Sequence, residues 1–66
     1  MYTVLMSDDR PKMLRRGMLL EVLEDREGGM LVSDGTQGGQ YSLPKCVLSE
    51  PEPFAAALRR AQRAVR

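Results

Sequence analysis

The chain has no histidine and no tryptophan, and it has one cysteine among its 66 residues. Histidine is the commonest general acid or base near neutral pH, and zinc sites use histidine or clustered cysteines. A nucleophilic cysteine would lack the imidazole base that usually activates it. We therefore expect a protein that is not an enzyme and that holds no metal and no cofactor.

The lone cysteine also excludes a disulfide within the chain, which is typical of proteins in the reducing cytoplasm. No apolar run approaches the roughly 20 residues that cross a bilayer. The N-terminal segment MYTVLMSDDR lacks the basic stretch and the long apolar stretch of a secretory signal. We expect a cytoplasmic protein with no membrane partner.

Large apolar side chains are scarce, since the chain has one Phe, two Tyr and five Met. A domain of this size buries only about 60% of the surface that its unfolded chain exposes. Methionine fills gaps but specifies packing poorly. Small domains with thin cores gain stability by association, so we expect a homodimer or a complex with a protein partner.

What the sequence does contain is a series of short apolar runs separated by turn residues. Residues 2–6, 30–34 and 40–44 have the composition and alternation of strands, and the turns EDREGG and GTQGG precede the last two. Residues 13–25 fit a strand that begins near Gly17 better than a helix, because their apolar residues share no helical stripe. The side chains predicted to face the core are Met18, Leu20, Val22, Met30, Val32, Tyr41 and Leu43.

Four short strands joined by tight turns predict a meander, which the twist of a sheet curls into a small barrel. The long first loop (residues 7–16), two tight hairpins and a proline-interrupted last step resemble the layout of SH3-like barrels over residues 2–49. The expected fold is mainly β, with a small SH3-like barrel of four to five antiparallel strands over residues 1–50. One C-terminal amphipathic α-helix, residues 51–66, completes the same single domain.

The segment QYSLPKCVL, residues 40–48, leaves two interpretations of its cysteine. The neighbouring Lys45 would favour the thiolate and make Cys46 a redox-sensitive thiol. We favour a small buried hydrophobe, because free cysteine is among the most often buried residue types. Pro44 cannot donate to a strand ladder and predicts a tight, 3₁₀-like step, after which Cys46 and Leu48 close the core.

The end of the chain gives one clear helix. Pro53 suits a first helical turn, where its missing N–H is not needed. At about 100° per residue, four apolar side chains share one stripe, which we expect to be buried on the barrel or on a second copy of the helix. These are Phe54, Leu58, Ala61 and Val65, and the arginines on the opposite arc are Arg59, Arg60, Arg63 and Arg66.

The net charge of +1 hides an uneven distribution. Residues 1–16 carry two aspartates against four lysines or arginines, and residues 54–66 carry four arginines and no acid. Between them, residues 17–53 carry seven acidic groups against Arg26 and Lys45. None of the acidic groups has the alternating spacing of a calcium loop, so they predict solvated turns.

Two functions would use the basic residues. The first is a small accessory or regulatory protein-interaction module, which self-associates or binds a partner through the helix or a strand edge. The second is a nucleic-acid-binding protein that contacts phosphates through the helix and the 10–16 loop, and a purely solvated helix face is the third alternative. We favour the first, because nucleic-acid domains usually have a pI above about 9 and this chain has 7.9. The candidate contact residues are Arg10, Lys12, Arg15, Arg16, Arg59, Arg60, Arg63 and Arg66.

Overall fold

The computed structural model describes residues 1–65. Its strands are β1 (Tyr2–Val4), β2 (Leu19–Arg26), β3 (Gly29–Ser33) and β4 (Gln40–Leu43). A 3₁₀ turn at Lys45–Val47 follows β4, and one helix, α1, spans Phe54–Ala64. The strands are antiparallel and lie in the order β1-β2-β3-β4, so the predicted mainly β meander with a C-terminal helix is confirmed.

The sheet is open, because no strand ladder joins β4 to β1 in the described part of the chain. Residues 47–52 instead run beside β1 through isolated pairs of backbone groups. Ser49 N donates to Val4 O at 2.9 Å, and Glu52 N and Tyr2 N each donate to the other residue's carbonyl oxygen at 2.8 Å. The closed SH3-like barrel is therefore not confirmed.

The inner face of the sheet carries the main core. Four of the seven side chains predicted to face inward are buried, and the other three, Met18, Val22 and Tyr41, are half-buried and pack against them. The alternation of β2, β3 and β4 was thus a sound guide to their inner faces. The buried residues of this cluster are Leu5, Leu14, Leu20, Met30, Val32, Leu43 and Leu48.

A β-bulge changes the alternation near the end of β2. Val22 is opposite Val32, but the next pair is Glu24 and Leu31, so Leu23 is the extra residue. Glu24 and Leu31 therefore share the outer face of the sheet, and Asp25 is opposite the inward Met30. At that position the Asp25 carboxylate forms an ion pair with Lys45, whose Nζ lies 2.7 Å from Asp25 Oδ1.

The 3₁₀ turn after Pro44 is confirmed, but the predicted burial of Cys46 is wrong, because this thiol is exposed. Val47 packs against the core and Leu48 is buried. The prediction rested on how often free cysteine is buried, and that frequency does not fix the direction of one side chain. Within the 3₁₀ turn the Cys46 side chain is exposed, and Val47, the next residue, packs against the core.

Helix α1 packs on the outer face of β1 and β2. Its buried side chains are Ala57, Ala61 and Ala64, which pack against Val4, with Tyr2 and Leu19 at the margin. The predicted burial of Phe54, Leu58 and Val65 on the body of the protein is wrong, because they are 51%, 37% and 66% exposed. Small side chains let the helix approach β1 closely, so α1 is turned by roughly 60° from the expected orientation.

Candidate interaction surface

One flank of α1 is tied to the segment that runs beside β1. Arg60 Nε donates to Glu52 Oε1 at 2.7 Å, and Nη2 of the same guanidinium lies 2.6 Å from that oxygen in an ion pair. Glu52 itself pairs with Tyr2 on the edge of β1 away from β2. Arg60 therefore anchors the helix, which sets it apart from the other helical arginines.

The opposite flank of α1 is apolar and faces β2. We call Phe54, Leu58 and Val65 the apolar flank. Phe54 makes an edge-to-face contact with Tyr2, with ring centroids 5.1 Å apart and planes at 74°. Val65 lies against Gly17 at the start of β2. Each end of the flank therefore rests on the body of the protein while much of its surface stays exposed.

Beyond the apolar flank, the outer face of the sheet continues onto β2 and β3. We call the group formed by Glu21, Leu23, Glu24 and Leu31 the outer sheet face. Leu23 is 43% exposed and Glu21 is exposed. Glu24 accepts two hydrogen bonds from Arg26, at 2.8 and 3.0 Å, and these bonds hold the pKa of the Glu24 carboxyl below its ordinary value. The outer sheet face thus combines two leucines with two exposed glutamates.

Two arginines lie along the solvent side of α1. Arg59 and Arg63 are exposed, and within residues 1–65 neither makes an ion pair. Arg66, the last of the predicted contact residues, lies outside the described residues. The helix therefore presents Arg59 and Arg63 together, whereas Arg60 is committed to Glu52.

The first loop, residues 7–16, is ordered by its own hydrogen bonds. Asp9 and Leu14 exchange two backbone hydrogen bonds of 2.9 Å, and Arg16 N donates to Asp8 Oδ1 at 2.7 Å. Lys12 Nζ lies 3.4 Å from Asp9 Oδ2. All four basic side chains of this loop are exposed, and they are Arg10, Lys12, Arg15 and Arg16.

The contact between Gly17 and Val65 brings the loop and the helix together. The loop ends at Arg16, one residue before Gly17, and Arg63 precedes Val65 by two residues. The structure therefore places the end of the basic loop beside the last turn of the basic helix. This adjacency joins the two segments that carry the predicted contact residues, the first loop and α1, and none of those residues lies on the acidic β2–β3 hairpin.

A cleft of about 390 Å³, which no sequence pattern indicates, lies between the β2–β3 hairpin and residues 45–51. Its charged lining includes Asp25 and Lys45, which neutralise each other, and Glu50. Within residues 1–65, no three His, Cys, Asp or Glu side chains are grouped to hold a metal ion. Nor does that part of the chain include a helix with the length and hydropathy to cross a membrane.

Comparisons with protein-family models, with curated proteins and with solved structures found no match for this chain. The chemistry of its own surface is therefore the evidence for its function. The surface features that sequence reasoning missed are the exposure of the apolar flank, the bulge that places Glu24 on the outer sheet face, and the exposed Met13. The first had a signal in the sequence, because three alanines recur at helical spacing at positions 57, 61 and 64.

Proposed function

We propose that this protein is a small, non-enzymatic accessory or regulatory module that self-associates through the apolar flank of α1. The observation that carries this proposal is that the helix buries its alanines and leaves Phe54, Leu58 and Val65 exposed. Burying large apolar side chains is the main source of stability in a thin core. A contiguous exposed apolar patch of this kind is typical of an interaction site.

The chemistry beside the apolar flank favours a second copy as the occupant. Arg59 and Arg63 are exposed on the solvent side of the same helix, and Glu21 is exposed on the outer sheet face. In a two-fold dimer each contact occurs twice, so α1 of one copy would lie on the outer sheet face of its partner. Arginines would then face carboxylates at both ends of an apolar centre that includes Leu23 and Leu58.

Self-association is tested by measuring mass against concentration with light scattering and analytical ultracentrifugation. We expect a reversible dimer that Leu58→Glu dissociates. Ala55→Glu adds the same charge at an exposed position of the same helix and should leave the dimer intact. A protein that stays monomeric up to its solubility limit contradicts the proposal.

A charge-reversal pair tests the orientation of the two copies. Arg59→Glu with Arg63→Glu should weaken the homodimer, and so should Glu21→Arg with Glu24→Arg. Mixing the two variant chains should restore association, because both helix–sheet contacts of the mixed dimer then have complementary charges. Failure of the mixture to associate, with both parent variants folded, contradicts this orientation.

We also propose that residues 47–52 complete a small SH3-like barrel of four to five strands, in a cytoplasmic protein. The support is the set of hydrogen bonds to β1, to which the side chains add two: Thr3 Oγ1 donates to Ser49 O at 2.5 Å, and Val4 N donates to Ser49 Oγ at 2.9 Å. A closed barrel predicts that the amides of Ser49 and Glu52 exchange as slowly as those inside β2. Fast exchange at both amides would indicate that the sheet is open.

The second candidate function is binding of nucleic-acid phosphates by Arg59, Arg63 and the 10–16 loop, with Arg60 added where a phosphate replaces Glu52 as its partner. The observation that favours it is the contact of Gly17 with Val65, which sets the end of that loop beside the end of α1. Affinity for a duplex should then fall steeply with salt, with a log–log slope of about −0.9 per phosphate contacted. Absence of a gel shift at low salt contradicts it.

A further inference from the structure

The tip of the first loop presents a single methionine to solvent. Met13 is 88% exposed, and its backbone has a φ of 58°. This is the only left-handed φ that a residue other than glycine adopts in the described part of the chain. An L-residue with a Cβ adopts this region at a cost, and a residue that keeps such a conformation is a candidate for a functional role.

The loop holds Met13 in place. The hydrogen bonds between Asp9 and Leu14 close its base, and Met13 N donates to Arg10 O at 3.0 Å. Leu14, the next residue, is buried in the main core. The backbone is thus fixed on both sides of Met13, and the side chain is directed outward by this frame.

Basic residues outnumber acidic ones in the loop that carries the exposed methionine. Asp9 pairs with Lys12, and Asp8, which accepts the backbone N–H of Arg16, lines a surface hollow together with Arg10, Met13 and Arg15. Across residues 1–65, the guanidinium groups of Arg10, Arg15 and Arg16 make no ion pair. The loop therefore offers one exposed apolar side chain among four basic and two acidic residues.

We propose that this loop tip binds the minor groove of duplex DNA, with Met13 as a wedge between base pairs and the basic residues of the loop on the flanking phosphates. This inference rests on the second candidate function and adds a mode of binding to it. Minor-groove proteins insert a methionine or another apolar side chain at a base step and bind the adjacent backbone with basic residues. Arginine also forms forked hydrogen bonds to phosphate oxygens.

An anionic membrane surface offers similar negative charge, but it fits this tip less well. Stable binding of a protein to a bilayer draws on a broad apolar face or a lipid anchor. Met13 provides one side chain. A wedge in the minor groove needs only one apolar side chain, so the observations favour DNA.

The test uses the full chain and a short duplex that carries 2-aminopurine at a TA step, the kind of step that unstacks most easily. Binding of the wild-type protein should raise the fluorescence of the probe as the step unstacks. Met13→Gly should abolish this rise and weaken binding by about tenfold, the factor expected for loss of one buried methionine. The salt slope should not change, because no phosphate contact is lost.

Two further variants separate the wedge from the charges. Arg15→Gln with Arg16→Gln should make the salt slope shallower by about 2, since each lost phosphate contact removes about 0.9. Met6→Ser removes another exposed methionine, outside the loop tip, and should change neither quantity. Met13→Gly removes no buried contact and relieves the positive φ, so it should melt at no lower temperature than the wild-type protein. Weaker binding by this variant cannot then be explained by unfolding.

The outcomes distinguish the inference from the function on which it rests. No binding of wild-type protein to the duplex at low salt overturns both. Salt-dependent binding without a rise in fluorescence, or with a rise that Met13→Gly retains, overturns the wedge and leaves phosphate binding in place. Binding to phosphatidylserine vesicles that depends on Met13, without binding to the duplex, overturns the choice of DNA.

Discussion

Gly17 and Val65 lie so close together that a Cβ on Gly17 would overlap Cγ1 of Val65. Gly17 also has a φ of 95°, which favours glycine. The residue thus meets two demands: it turns the chain from the first loop into β2, and it leaves space for the end of α1. One position therefore couples the loop, the sheet and the helix.

Substitution of Gly17 by alanine should loosen the end of the helix. Gly35 is the matched control, because its φ is 90° and no atom lies within 4 Å of the position of its missing Cβ. We expect Gly35→Ala to lower the free energy of unfolding by about 1 kcal/mol through its φ alone. Gly17→Ala should cost about 1–2 kcal/mol more, because Val65 must move.

Urea denaturation measures both losses, and amide hydrogen exchange locates the effect of Gly17→Ala. Faster exchange should appear at Ala64 and Val65, with little change in β3. Equal losses of stability in the two variants would contradict the close contact between Gly17 and the helix.

The alanine face of α1 should not tolerate larger side chains. Ala57 is 1% exposed and packs in the cluster around Val4. Ala57→Leu should therefore destabilise the protein by about 1–3 kcal/mol through overpacking. Ala55→Leu adds the same atoms at an exposed position and should change stability by less than about 0.5 kcal/mol.

Thermal and urea unfolding of both variants measure this difference. If the helix instead buried Phe54 and Leu58 on the sheet, Ala57 would lie to one side of the contact and its enlargement would cost little. Equal stability of the Ala57→Leu and Ala55→Leu variants would thus support the helix orientation that the apolar stripe predicts.

Much of the sheet could be predicted from the sequence because its signals are local. Alternation places Met30 and Val32 on the inner face, and glycine-rich turns mark the hairpins. The orientation of α1 has no such local signal, because it depends on how closely the helix packs against the backbone of β1. The stripe through Phe54 and Leu58 marks the most apolar arc of the helix. The arc that packs on the sheet instead has the smallest side chains, such as Ala61.

The prediction of the interaction surface was limited for the same reason. Basic residues are visible in the sequence, but their pairing is not. Arg60 and Arg63 look equivalent on a helical projection, yet Arg60 is bound by Glu52 from a segment outside the helix. The place of Glu24 on the outer sheet face depends on a bulge, which is a property of the pairing of two strands. Neither feature follows from the order of residues alone.

The exposure of Cys46 has a direct chemical consequence. Its thiol should react with Ellman's reagent in native buffer at a rate close to that in urea. Cys46→Ser should change stability by less than about 0.5 kcal/mol, whereas Val47→Ser, at the next and half-buried position, should cost more than about 1 kcal/mol. A thiol that reacts only after unfolding would restore the buried orientation.

The turn between β3 and β4 should show its own pH dependence through Asp34. Its carboxylate accepts hydrogen bonds from Thr36 Oγ1 at 2.6 Å, Thr36 N at 2.9 Å and Tyr41 Oη at 3.4 Å. These bonds, the hydroxyl of Thr36 first, hold the pKa of Asp34 below its ordinary value. Because the folded-state pKa lies below the unfolded one, the stabilisation is present at neutral pH and is lost as the pH falls through the lowered pKa.

Replacement of the Thr36 hydroxyl tests this cause. Thr36→Val keeps the shape of the side chain and should raise the pKa of Asp34 toward its ordinary value, with part of the shift retained by the backbone N–H and by Tyr41. Thr36→Ser keeps the hydroxyl and should leave that pKa low. Carbon-13 NMR titration of the Asp34 carboxyl measures both. An unchanged pKa in Thr36→Val would assign the shift to the two remaining donors, and the acid sensitivity of the turn would then depend on Tyr41 and on the backbone.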